Sequence, residues 1–71
     1  MLELKISLFH DGQRVAKLKT SDGTMVESKV NSSSLVLALK NLRACLHDVG
    51  YKDDSDEILT VDDAIKEFEK D

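Results

Sequence analysis

The sequence predicts an α+β domain of β-β-β-α-α topology: a three-stranded antiparallel β-meander packed on one amphipathic helix and followed by a short C-terminal acidic amphipathic helix. Three observations lead there. Residues 2–9 alternate apolar and polar, Asp-Gly recurs at Asp11-Gly12 and Asp22-Gly23, and apolar residues between positions 35 and 49 recur at helical spacing. The 71-residue chain reads as a single small domain, with the meander in 1–30, the main helix in 34–49, an acidic loop in 51–57 and a helical segment in 58–71.

The first strand places Leu2, Leu4, Ile6 and Leu8 on one face. The turn at His10-Asp11-Gly12 has its loop length fixed by register. A three-residue loop closed by Gly12 sets Phe9 opposite Gln13, Ile6 opposite Ala16, Leu4 opposite Leu18 and Leu2 opposite Thr20, so the apolar sides coincide. A two-residue loop would set Ile6 opposite Lys17 and Leu4 opposite Lys19, which buries charge or exposes the leucines. Ser21-Asp22-Gly23 repeats the device after a second strand over 13–20. It pairs Thr20 with Thr24, Leu18 with Val26 and Ala16 with Ser28, and on the other face Lys17 with Glu27 and Lys19 with Met25. The strand order is then 1-2-3, with two open edges that offer a route to a dimer.

Asn31-Ser32-Ser33-Ser34 supplies candidate N-caps for the main helix, because a short side-chain oxygen accepts the unpaired amide hydrogens of a first turn. Leu35, Ala38, Leu39, Leu42, Cys45, Leu46 and Val49 form one stripe, and Gly50 stops the helix. Val36 and Leu37 lie off that stripe. The predicted core is Leu2, Leu4, Ile6, Leu8, Ala16, Leu18, Val26 and Val30 against Leu35, Leu39, Leu42, Leu46 and Val49. After the acidic loop, Thr60 with Asp63 resembles a capping box, with Leu59 stapled onto Ala64; Val61, Ala64, Ile65 and Phe68 then make a helix over 61–69. At under three turns that helix needs a surface to dock on, its own domain's or a partner's.

Composition narrows the function. One cysteine excludes an internal disulfide, and no signal peptide, lipidation motif or apolar run near the roughly 20 residues needed to span a bilayer is visible. A cytoplasmic protein without membrane contact is expected. The charge of −4 is split: residues 1–50 carry a net +2 and residues 51–71 a net −6. A chain this small buries only about 60% of its unfolded surface, which disfavours a deep cofactor pocket.

The constellations that could carry chemistry are weak. Glu27-Ser28-Lys29 with Asp22 or Asp11 echoes metal-dependent nucleases, but Glu-x-Lys is ordinary on an amphipathic strand. The acids Asp53, Asp54, Asp56 and Glu57 miss the Gly and Glu spacing of a calcium loop in either frame. His10 in a turn and His47 near a helix end have no nucleophile placed beside them, and Cys45 sits on the core stripe. No catalytic residue, metal site or cofactor is expected.

Two surfaces remain. The first reading is a non-enzymatic inhibitor or adaptor acting on an unknown protein partner, as a homodimer, with Val36, Leu37, Asp53, Asp54, Asp56, Glu57, Asp62, Asp63 and Phe68 as contact candidates. The alternative is a nucleic-acid module on the outer sheet face, where Lys5, Phe9, Lys17, Lys19 and Lys29 would meet phosphates and a base, beside Val15 and Met25.

Overall fold

The computed structural model describes residues 2–8 and 12–69. Strands β1 (Glu3–Leu8), β2 (Arg14–Lys19) and β3 (Met25–Val30) form one antiparallel sheet in the order β1-β2-β3, followed by helices α1 (Leu35–Val49) and α2 (Asp56–Glu69). Both registers follow from the turns. Ile6 pairs with Ala16, Leu4 with Leu18, Leu18 with Val26 and Lys17 with Glu27, as three-residue loops require. Gly12 and Gly23 take φ of +88° and +91°, the left-handed position that closes such a loop and that residues with a Cβ avoid. The side chain of Leu8 and all of Phe9, His10 and Asp11 lie outside the described residues, and with them the expectations placed there.

At the β2–β3 turn the Thr20 hydroxyl donates to the Asp22 carboxylate, which also accepts the Thr24 amide at 3.1 Å. These bonds, the Thr20 hydroxyl first, hold the Asp22 carboxyl below its ordinary value of 3.8. A depressed native pKa stabilises the fold above the ordinary value and is lost as pH falls through the native one. Asp22→Asn is therefore expected to flatten the acid limb of a urea-midpoint titration; a limb as steep as wild type would show that the turn carboxylate contributes nothing.

Helix α1 is capped by Ser34, whose hydroxyl accepts the Leu37 amide at 3.2 Å. It ends at Gly50, with the Gly50 amide on the His47 carbonyl at 3.0 Å and the Tyr51 amide on the Leu46 carbonyl at 3.0 Å, a Schellman closure. The helix backs onto β3: Ser28 is buried, donates to the Ala38 carbonyl at 3.3 Å and accepts the Asn41 side-chain amide at 2.7 Å. The other flank of α1 faces α2 through Arg43–Asp62 and Lys40–Glu69. Ala16, Leu18 and Val26 from the sheet, Ala38, Leu39, Leu42 and Leu46 from α1, and Ile58, Val61 and Ile65 from α2 close one core, against which Leu2, Leu4, Ile6, Val30, Leu35, Val36, Cys45, Tyr51 and Ala64 pack partly buried.

Three expectations are corrected. Helix α2 begins at Asp56 rather than at residue 58 or 61, because Ser55 is the cap: its hydroxyl accepts the Ile58 amide at 3.2 Å and its carbonyl the Leu59 amide at 2.9 Å. Thr60 and Leu59 are therefore inside the helix, neither cap nor staple, and the acidic loop ends before Asp56. Fourteen residues give α2 an apolar face long enough to dock on its own domain. Val49 is 60% exposed, not core; it is the last helical residue, one turn-end beyond Leu46, where the chain already swings away at Gly50. Val15 is only 1% exposed, although alternation puts it on the outer sheet face; it lies on the central strand β2, between Ser7 of β1 and Lys29 of β3. No helix among the described residues is long and apolar enough to cross a membrane.

Candidate functional site

Docking of α2 sorts the acidic candidates into two groups. Ile58, Val61 and Ile65 turn inward, which fixes every other position on the helix. Asp62 is drawn toward α1, where the Arg43 Nε donates to its Oδ1 at 2.6 Å. Arg43 Nη2 also reaches Asp53 at 3.2 Å, and His47 Nε2 lies 2.7 Å from the same Asp53 oxygen. Hydrogen bonding to Asp62, and then the charge of Asp62 and Asp53, push the Arg43 guanidinium pKa further up. This cluster ties the 51–55 connector and α2 to α1. Asp53 and Asp62 thus have partners within the chain.

Most of the remaining acids face solvent. Asp54, Asp56 and Asp63 are exposed, as is Glu67, while Glu57 is half-buried. Among them stands Leu59, 47% exposed, with Asp56 one turn before it and Asp63 one turn after it. Leu59 does not stand out as a contact residue when the helix is started at position 61; starting it at Asp56 puts Leu59 on the solvent side, the side that already carries Glu67. Phe68, 46% exposed, sits on the flank of α2 away from Asp62 and Glu69. Leu37 is 48% exposed in the first turn of α1, whereas Val36 is half-buried against the core.

The outer sheet face is less basic than its lysines suggest. Lys5 pairs with Glu3 at 3.1 Å and Lys17 with Glu27 at 3.3 Å; Lys19, opposite Met25, and Lys29, opposite Val15, are exposed. Val15, 1% exposed, offers no contact area, and Phe9 lies outside the described residues.

The chemical constellations are dispersed. Glu27 is engaged with Lys17, Ser28 faces the core, and Asp22 is held in its turn. Cys45 is half-buried against the core. Among the described residues no group of three or more His, Cys, Asp or Glu side chains is placed to hold a metal ion, and no pocket opens. No protein-family model matches the chain, and no curated protein or solved structure is significantly similar to it.

Proposed function

We propose that this chain is a small non-enzymatic binding protein, an inhibitor or adaptor, which works in the cytoplasm as a homodimer and presents the outer face of α2 to a basic surface on a protein partner. The observation that carries this reading is Leu59 standing exposed between Asp56 and Asp63, with Glu67 two turns on and the exposed Asp54 in the connector just before the helix. An apolar anchor rimmed by charge is the usual anatomy of a protein contact: the anchor contributes when water is expelled, and the rim steers encounter and excludes wrong partners. The lone Cys45 and the absence of any disulfide suit a reducing compartment.

The test is affinity capture from a nuclease-treated bacterial lysate, comparing wild type with Leu59→Ala and with Asp56→Asn/Asp63→Asn, each variant first shown to be folded by circular dichroism. A stoichiometric protein band is expected, weakened about tenfold by Leu59→Ala and weakened further at high salt. A band indifferent to these substitutions would remove α2 from the contact. Nucleic acid recovered from the untreated lysate without a protein band, and lost in Lys17→Glu/Lys19→Glu, would transfer the function to the lysine face.

A further inference from the structure

The two sheet edges are not equivalent. On the β3 edge two of the three inward residues are already covered, with Val26 7% and Ser28 2% exposed and Asn41 reaching over from α1, and only Val30 is half-buried. On the β1 edge Leu2, Leu4 and Ile6 are only half-buried. β1 is also six residues long and straight in register, and the chain has no proline to blunt an edge.

The direction of its free backbone groups follows from the ladder. The Thr20 amide bonds the Thr24 carbonyl at 2.8 Å, so the even residues of β2 bond toward β3 and its odd residues toward β1. Lys17 and Lys19, opposite Lys5 and Glu3, therefore exchange bonds with β1, which leaves the amide and carbonyl of Leu4 and Ile6 pointing out of the sheet. No hydrogen bond among the described residues engages them.

We infer that a second copy of this chain docks on the β1 edge, two-fold about Leu4, joining two three-stranded meanders into one six-stranded antiparallel sheet. Charge selects the register. With Leu4 opposite Leu4, the outward-bonding residues pair with each other, Leu2 meets Ile6 on the inner face, and on the outer face Glu3 of each copy meets Lys5 of the other. A shift that centres the axis on Lys5 would set Lys5 against Lys5, a directly opposed like pair. In the Leu4 register the cross-strand row reads Glu27, Lys17, Lys5 and then Glu3 of the second copy, so the like-charged neighbours Lys17 and Lys5 are flanked on both sides by carboxylates. The half-buried leucines gain cover at the same time.

This rests on the homodimer in the reading above, and sedimentation equilibrium of the full chain tests it. Wild type is expected to dimerise, Glu3→Lys and Lys5→Glu each to weaken the dimer about tenfold by turning both outer pairs repulsive, and an equimolar mixture of the two variants to recover wild-type affinity, since each pair is then attractive again. Both side chains are largely exposed, so folding is expected to survive and is checked by circular dichroism. A dimer that ignores both substitutions overturns the β1 edge while keeping the homodimer; if Leu37→Lys then disperses it, the contact is the first turn of α1. A wild-type monomer at every concentration overturns the inference and the homodimer together, and leaves the partner contact of α2 to its own test.

Discussion

A chain ended at Lys52 is expected to lose cooperative folding. Helix α2 supplies Ile58, Val61 and Ile65, two of them fully buried and the third 8% exposed, to a core whose α1 members Leu39, Leu42 and Leu46 are themselves fully buried. Burying each of the α2 side chains is worth about 1.5–3 kcal/mol. A domain of this size rarely commands more than about 3–5 kcal/mol in total. Removal of α2 also strands Arg43 and Lys40 without Asp62 and Glu69. The expected record is a broad, non-sigmoidal thermal melt by circular dichroism with strong binding of a hydrophobic dye. A sharp transition near that of the full chain would mean that α2 is an accessory rather than part of the core. Ile58→Asp offers a milder test with the same sign, since it buries a charge that has no partner on the inner face of the helix.

What the sequence shows and what it hides divides along the distance over which each feature is decided. Both hairpin registers are legible because Asp-Gly sets the loop locally and a one-residue slip would turn Leu4 and Leu18 to solvent. The span of α1 is legible for the same reason: Ser34 and Gly50 are local signals at its two ends. The start of α2 is hidden because the run from Asp53 to Glu57 reads as a polar loop, although Asp56 and Glu57 are favoured in a first turn by the helix dipole and Ser55 before them is a cap. That one displacement conceals Leu59 and the extension of the apolar face to Ile58.

Other features are hidden because they are tertiary. Nothing near Arg43 in the sequence announces that it gathers Asp53 and Asp62, ten and nineteen residues away, and so withdraws two acids from the contact surface. Val15 lies on the face that alternation assigns to solvent, yet it is 1% exposed. The unequal cover of the two sheet edges is likewise invisible until α1 is placed over β3.

Leu42→Ala is expected to cost about 2–5 kcal/mol, the range for truncating a buried leucine whose cavity the surroundings fill only in part. Leu42 is fully buried at the middle of α1, within the cluster that joins sheet, α1 and α2. The loss approaches the whole stability of so small a domain, so the variant should be largely unfolded or melt far below wild type at matched protein concentration, the matching being needed because a dimer couples stability to concentration. Val49→Ala is the discriminating control. Helical periodicity puts Val49 on the same stripe as Leu42, whereas its 60% exposure puts it in solvent. Exposed substitutions usually stay within about 0.5 kcal/mol, so the two urea midpoints should diverge widely. Equal losses would mean that the last turn of α1 is covered, either by its own chain or by the second copy, and the placement of Gly50 as the point where the chain leaves the core would have to be redrawn.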